Sequence, residues 1–171
     1  MSEWIHIKLG EVGSFNNGIN KGNKSFGYGV PFVNLLDVFN KSSISHIPND
    51  LVDASETEIS AYSLKKGDIL FVRSSVKPEG VGKTCVVLCE LPRTVYSGFI
   101  IRFRQNEAIF DVGYSKYCFD CTTFRKQILS YSTVSANTNI NQVSLKKLGI
   151  KIPKFLNEQR KIARILSTID A

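Results

Sequence analysis

The segment most suggestive of catalysis is Gly80-Val81-Gly82-Lys83-Thr84, which is similar to the end of a phosphate-binding loop. Such a loop needs a further glycine five residues before Gly82, so that backbone N–H groups can converge on phosphate. Lys77 occupies that position, and the β-rich segment from Thr84 does not favour the helix that normally follows. We therefore expect either a turn between two strands or a contact of Lys77 and Lys83 with a phosphate backbone, rather than a nucleotidase.

Four cysteines lie in two close pairs, Cys85 with Cys89 and Cys118 with Cys121, and paired cysteines can bind zinc. In a strand, Cys85 and Cys89 would lie roughly 13 Å apart, which is too far to share an ion without a bend. Apolar residues recur with helical spacing around the second pair, which places it on the apolar side of a helix. We therefore expect no metal site.

The other residue types that support catalysis are sparse. The two histidines, His6 and His46, each stand alone, and no pair of a nucleophile and a base is visible. The sequence contains neither an Asn/Asp-Pro-Pro-aromatic tetrapeptide nor the glycine-rich cofactor turn of methyltransferases. We therefore expect no enzyme activity and no cofactor.

The composition is that of a globular protein with a single core. The chain has 171 residues, 43% of them hydrophobic, including eleven Phe and six Tyr. It has no run of about 18 apolar residues that could span a membrane. The N-terminal sequence lacks the basic and apolar regions of a signal peptide. We therefore expect an intracellular, cytoplasmic protein.

Basic residues are concentrated in two parts of the sequence. Residues 65–104 and 141–171 each carry a net charge of +5, residues 1–64 carry −3, and the whole chain carries +7. Two basic blocks fit a polyanionic partner, with nucleic acid as the first candidate. The alternative is a solvated surface that is rich in lysine.

Hydrophobic patterning predicts an α+β fold with a mostly antiparallel or mixed sheet. The continuous apolar run Ile69–Val72 predicts a strand that is buried on both faces. Residues 15–29 and 132–141 are expected to be polar loops, and residues 112–130 one internal helix. Strands do not alternate regularly with helices, which disfavours a parallel βαβ fold. Further strands are expected at residues 30–38, 84–88, 98–103 and 148–153.

The last residues predict an amphipathic helix that follows a closing strand. Pro153 ends the strand, and Asn157 is a plausible helix N-cap. The helix has an apolar stripe at positions i, i+3, i+4 and i+7. The stripe consists of Ile162, Ile165, Leu166 and Ile169.

Five segments, spread over nearly the whole chain, match a known pattern in their order and separation. They are Trp4…Lys8-Leu9-Gly10-Glu11-Val12, Pro31-Phe32-Val33-Asn34…Asp37-Val38, Leu64-Lys65-Lys66-Gly67-Asp68-Ile69-Leu70-Phe71-Val72-Arg73-Ser74-Ser75, Asn139-Ile140-Asn141, and Ile150-Lys151-Ile152-Pro153…Glu158-Gln159-Arg160-Lys161-Ile162-Ala163…Leu166…Ile169-Asp170. With these segments the chain resembles a target recognition domain of a type I restriction–modification specificity subunit. The third and fifth segments together are the most specific part of the pattern.

The resemblance implies a non-catalytic reader of double-stranded DNA. Such subunits typically contain two recognition domains, each followed by a long helix, and each domain reads one part of a split target. The helices form a spacer and dock modification subunits, which methylate adenine with S-adenosylmethionine, and restriction subunits with ATP-driven translocation join the complex. We expect one recognition domain at residues 1–154 and the start of a spacer helix at residues 155–171. The chain would then be a fragment, a truncated product or a half-length subunit.

In that framework, DNA contacts are expected from the polar and glycine-bearing segments. Arg73 is the first candidate for a base contact, because a guanidinium can pair bidentately with guanine, and Ser74 and Ser75 follow it. Three asparagines could pair with adenine, although turn chemistry is at least as good an explanation of each. They are Asn137, Asn139 and Asn141. The candidates for phosphate contacts are Lys21, Lys24, Lys77, Lys83 and Arg93.

The apolar stripe of the last helix is expected to be a subunit interface, and an unpaired stripe predicts self-association. Arg160, Lys161 and Arg164 beside it would face either DNA or a modification subunit. The competing function is a basic interaction module that binds a protein through this helix without recognising DNA.

Overall fold

The computed structural model describes residues 3–170 as an α+β fold. The strands are β1 (Trp4–Lys8), β2 (Gly13–Asn17), β3 (Phe26–Val33), β4 (Ser43–Ile44), β5 (Leu51–Val52), β6 (Ile69–Val72), β7 (Ser74–Ser75), β8 (Thr84–Val87), β9 (Val95–Tyr96), β10 (Ile100–Gln105), β11 (Thr133–Val134), β12 (Thr138–Asn139) and β13 (Gly149–Pro153). The α-helices are α1 (Leu9–Val12), α2 (Leu35–Phe39), α3 (Glu56–Tyr62), α4 (Val112–Cys118), α5 (Thr122–Tyr131), α6 (Gln142–Lys147) and α7 (Leu156–Ile169). Two 3-10 turns cover Asn23–Ser25 and Pro78–Gly80.

The central sheet has the strand order β2-β10-β6-β8-β4. Its pairs are antiparallel except that of β4 with β8, which is parallel. The predicted mixed, mainly antiparallel α+β fold is therefore confirmed. In three smaller sheets, β1 pairs with β13, β3 pairs with β5 and β9, and β12 pairs with β11 and β7.

The central strand β6 is buried on both faces, as its continuous apolar run predicts. Alternate side chains of a strand point to opposite faces. Ile69 and Phe71 belong to one core cluster, and Leu70 and Val72 belong to a second. The first cluster contains a group of phenylalanines, of which Phe71 lies 6.1 Å from Phe119 between ring centroids. Two cores meet at this one strand, which gives its exit a fixed position.

The helix predicted over residues 112–130 is two helices, α4 and α5. Asp111 caps α4 through its Oδ1, which accepts from the N–H groups of Gly113 and Tyr114. The chain breaks after α4 because Phe119 turns fully into the phenylalanine core. The break separates the cysteines of the second pair, because Cys118 is buried and Cys121 is exposed.

The cysteines are not grouped with other metal ligands in residues 3–170, where no cluster of three or more His, Cys, Asp or Glu could hold an ion. Burial raises the pKa of the Cys85 thiol to about 12 and also raises that of Cys118. Both thiols therefore stay protonated at neutral pH and act as small apolar groups.

Several segments differ from their predicted structure. The expected loop at residues 15–29 contains the end of β2 and the start of β3, and the expected strand at 30–38 ends at Val33 and continues as α2. A capping box starts α2: Asn34 Oδ1 accepts from the N–H of Leu35 at 2.7 Å, and Asp37 accepts from the N–H of Asn34 at 3.0 Å. This local cap overrides the β-rich composition of the segment.

The last helix is fixed to the domain by a buried glutamine. α7 begins at Leu156, one residue before the predicted cap Asn157. Gln159 is fully buried; its Nε2 donates to the carbonyls of Ile109 and Pro153 at 2.9 Å, and its Oε1 accepts from the N–H of Asp111 at 2.8 Å. The amide therefore satisfies three main-chain groups where the helix leaves the domain.

The predicted apolar stripe of α7 is divided between two environments. Ile162 packs against the core and Leu166 is half-buried, whereas Ile165 and Ile169 are 64% and 76% exposed. The helix therefore uses part of its stripe against its own domain. Within residues 3–170, no helix has the length and apolar character that crossing a bilayer requires.

Candidate nucleic-acid interface

The candidate interface begins where β6 reaches the surface at Arg73. The N–H of Arg73 donates to the carbonyl of Phe99 at 2.9 Å, and its carbonyl accepts from the N–H of Ile140 at 3.0 Å. The side chain is exposed, and its Nη1 donates to the carbonyl of Gly98 at 3.3 Å. The guanidinium takes part in none of the ion pairs within residues 3–170. A fixed main chain thus presents an uncompensated cation.

The strands β7 and β12 bring together two predicted DNA-contact segments that are distant in sequence. They pair antiparallel, with Ser74 opposite Asn139 and Ser75 opposite Thr138. The pairing places residues 73–75 beside residues 137–139. The side chains of Ser74, Ser75 and Asn139 are half-buried, whereas Asn137 is exposed.

The three asparagines have different environments. Asn141 Oδ1 accepts from the N–H of Ser144 at 2.9 Å, so this side chain is the N-cap of α6. Asn139 Nδ2 donates to the carbonyl of Asn137 at 2.9 Å, which is the turn chemistry expected as an alternative. The side chain of Asn137 forms no hydrogen bond within the described part of the chain, although its carbonyl accepts from the side chains of Ser135 and Asn139. It is therefore the asparagine best placed to contact a ligand.

The glycine- and lysine-bearing loop between β7 and β8 is a turn in which the backbone N–H groups are already used. Those of Gly80, Val81, Gly82 and Lys83 each donate to a main-chain carbonyl. Arg125 of α5 donates to the carbonyls of Val81 at 2.8 Å and Glu79 at 3.1 Å. A phosphate-binding loop needs free, convergent N–H groups, so this arrangement agrees with a turn between strands.

The side chains of this loop stay available to a polyanion. Lys77 is exposed, and Lys83 Nζ lies 4.5 Å from the ring centroid of Phe39. Neither forms an ion pair among residues 3–170. A Cβ on Gly80 would lie 2.2 Å from Ser75 Oγ, so this glycine lets the loop close directly onto β7.

The remaining phosphate candidates lie in other segments. Lys24 is exposed in the 3-10 turn Asn23–Ser25. Lys21 pairs with Glu58 at 2.8 Å, and Arg93 pairs bidentately with Glu56 at 2.6 and 3.0 Å. These hydrogen bonds lower the pKa of both carboxyl groups. Lys21 and Arg93 would have to exchange an acidic partner for a phosphate, which Lys77 and Lys83 need not do.

Part of the basic block at residues 65–104 is structural. Arg104 forms a bidentate pair with Asp68, with contacts of 2.7 and 2.6 Å, and Asp68 is only 1% exposed. Arg102 is buried and donates to the carbonyl of Ser63 at 2.8 Å. The net charge of the block therefore overstates the charge that it presents to a partner.

A groove of about 510 Å³ adjoins residues 73–77 and contains side chains that were not predicted to contact a ligand. Five of its lining residues are apolar, and three of them are more than half exposed: Leu36 at 65%, Phe99 at 59% and Val76 at 80%. The other two are Leu35 and Phe39 of α2. A signal was present in the sequence, because Val76 stands between Ser75 and Lys77 in an otherwise polar segment.

The whole sequence, residues 1–171, matches the family model described as the type I restriction modification DNA specificity domain. A search among curated proteins found no match.

Solved structures with the same fold include type I specificity subunits. The S subunit of a type I restriction–modification system from M. genitalium aligns with a TM-score of 0.62 and 14% identity over 99% of this chain and 39% of that chain. The HsdS subunit from Thermoanaerobacter tengcongensis aligns with a TM-score of 0.65 and 21% identity over 98% and 37%. A chain from a study of complex assembly and conformational transition of the type I R-M system aligns with a TM-score of 0.69 and 20% identity over 98% and 38%.

The chain spans 37–39% of the length of these three structures. At 14–21% identity the structures establish a shared fold, whereas the match to the family model extends from the first residue to the last. The chain therefore belongs to the type I restriction–modification DNA specificity domain family.

Proposed function

We propose that this chain is a non-catalytic module that recognises one part of a bipartite DNA target in a type I restriction–modification system. The observation that carries the proposal is the pairing of β7 with β12, which puts Arg73, Ser74 and Ser75 beside Asn137 and Asn139. These side-chain types read base edges, and a rigid strand exit gives them a fixed register.

Lysines without an acidic partner position this surface on the sugar–phosphate backbone. Lys77 and Lys83 flank the loop that closes onto β7 and have no acidic partner among residues 3–170. Lys24 adds charge from a separate turn, whereas Lys21 and Arg93 contribute only if they release Glu58 and Glu56. Phosphate contacts of this kind supply affinity without sequence preference.

The domain at residues 1–154 reads DNA, and α7 connects it to other subunits. The buried Gln159 fixes the direction of the helix, and Arg160 pairs with Asp111 at 3.0 Å. Lys161 and Arg164 are exposed and suit an acidic patch on a modification subunit, which carries out the methylation. Restriction subunits complete the assembly.

A second surface supports self-association through α7. Ile165 and Ile169 are exposed on one side of the helix, and Ile162 and Leu166 lie toward the domain. Two such helices could bury these isoleucines against each other, as in a coiled coil. The same feature is the basis of the alternative function, in which a protein partner binds the helix and the chain does not recognise DNA.

Reconstitution with a modification subunit, followed by sequencing of methylated adenines, tests the proposal. We expect methylation at one defined sequence, part of which changes when this chain is exchanged for another specificity domain. Assembly of the complex without any sequence preference in methylation would support the alternative function and contradict DNA recognition.

A further inference from the structure

The groove beside Arg73 combines apolar and hydrogen-bonding side chains in one surface. Leu36, Val76 and Phe99 are all more than half exposed, and Ser74, Ser75 and Asn137 line the same groove. Exposed apolar residues that stand singly need no explanation, but a contiguous group of three marks an interaction site.

The fold does not require these apolar residues at their positions. Leu36 and Phe99 lie within two residues of the buried core residues Val38 and Ile100, and Val76 lies in the loop after β7. None of the three exposed side chains belongs to a hydrophobic core cluster of the described residues. Packing of the core therefore does not explain why these three side chains are apolar.

The charge of the groove favours DNA as its occupant. Lys77 lines the groove, Arg73 precedes it, and no carboxylate is among its lining residues. Asp37 of α2 is nearby, but it pairs with Lys41 at 3.2 Å and caps its own helix. The groove is also continuous with the serines and the asparagine that the proposed function assigns to base edges.

The DNA major groove contains an apolar group that this protein surface could contact. Thymine is the unmodified base that presents a methyl group there, next to hydrogen-bonding atoms of its own and neighbouring base pairs. A surface with both apolar and hydrogen-bonding side chains therefore matches a base sequence that contains thymine.

We propose that Leu36, Val76 and Phe99 contact thymine 5-methyl groups and so determine part of the DNA specificity. The inference rests on the proposed function and adds an apolar component to it. Burying one methyl group contributes about fourfold in affinity.

Uracil substitution tests this proposal, because it removes the methyl group and keeps the hydrogen-bonding edge of thymine. The complex reconstituted with a modification subunit is titrated with its mapped target duplex, in which each thymine is replaced in turn by uracil. For the unsubstituted chain we expect about fourfold weaker binding at one or more thymines. The variants Val76→Ala and Phe99→Ala should bind the thymine duplex more weakly than the unsubstituted chain does. Each variant should bind the thymine and uracil duplexes equally well.

A matched control comes from Ile47, which is 46% exposed and does not line the groove. Ile47→Ala should keep the full preference for thymine over uracil. Equal binding of thymine and uracil duplexes by the unsubstituted complex, or a full preference in both groove variants, would overturn the inference alone. A complex without any sequence preference would overturn the proposed function and this inference together.

Discussion

Ser74 and Asn139 face each other across an antiparallel ladder, although they come from opposite halves of the chain. Ser74 is held by the strand that leaves the core, and Asn139 by a short hairpin with β11. The short hairpin of β11 and β12 depends on this pairing, because an isolated two-stranded hairpin is at best marginally stable in water. The pairing turns two polar loops into one surface of defined geometry.

The lysines of the loop after β7 should contribute to the salt dependence of DNA binding. Lys77→Gln and Lys83→Gln each remove one phosphate contact and should weaken binding to all duplexes. The slope of log K against log salt should become shallower by about one unit for each contact. Fluorescence anisotropy at several salt concentrations measures the slope.

Lys66 provides the control for this experiment, since it is exposed and lies before β6, at the opposite end of the strand from Arg73. Lys66→Gln should leave the slope unchanged. A slope that responds equally to all three substitutions would indicate a general effect of charge and would remove the loop from the interface.

The buried pair of Asp68 and Arg104 should be important for stability. Asp68→Asn removes the charge that compensates Arg104, and we expect the free energy of unfolding to fall by about 2–3 kcal/mol. Urea denaturation followed by circular dichroism measures this change. Asp53→Asn, an exposed aspartate outside the ion pairs of residues 3–170, should change the stability by less than about 0.5 kcal/mol. Similar losses in both variants would contradict a special role of the pair.

Gln159 should hold α7 against the domain. Gln159→Leu introduces a side chain of similar size that has no amide. The carbonyls of Ile109 and Pro153 and the N–H of Asp111 then lose their hydrogen-bond partner. We expect a loss of about 3 kcal/mol in stability and faster amide exchange in α7. Hydrogen exchange with mass spectrometry resolves the helix from the rest of the chain. Unchanged protection of α7 would show that its other contacts suffice.

The exposed and buried cysteines should differ in reactivity. Cys121 is exposed, whereas burial keeps Cys85 protonated up to a pKa of about 12 and also raises the pKa of Cys118. Because the thiolate is the reactive form, alkylation of the native protein at pH 8 should modify Cys121 and leave Cys85 and Cys118 intact. Peptide mass spectrometry before and after unfolding identifies the sites. Rapid labelling of Cys85 in the native state would contradict its burial.

Strong local patterns predicted the framework of the fold, and pairings between distant segments produced the rest. The buried strand β6 and the amphipathic α7 could be recognised from period and composition. The partition of the α7 stripe could not, because it depends on the main-chain groups that Gln159 satisfies. Likewise, the break after α4 follows from where Phe119 finds its aromatic neighbours.

The candidate interface was predictable by residue type but not by geometry. Residue type identifies Arg73, Ser74, Ser75, Asn137 and Asn139 as candidates. Their proximity depends on the β7–β12 pairing. Charge alone could not distinguish Lys77 from Lys21, because the difference is the acidic partner Glu58 from a separate helix. Residue type also identifies Asn141, but its side chain caps α6.

The central claim, that the surface around Arg73 reads bases, is tested most directly by mapping methylation with the variant Arg73→Ala. The unsubstituted and variant chains are each assembled with a modification subunit, and methylated adenines are sequenced on the same DNA. We expect the variant to relax the preference at one or two base pairs, with a cost of about 1–3 kcal/mol on the original target. An unchanged target sequence with uniformly weaker methylation would contradict the claim and place Arg73 among the phosphate contacts.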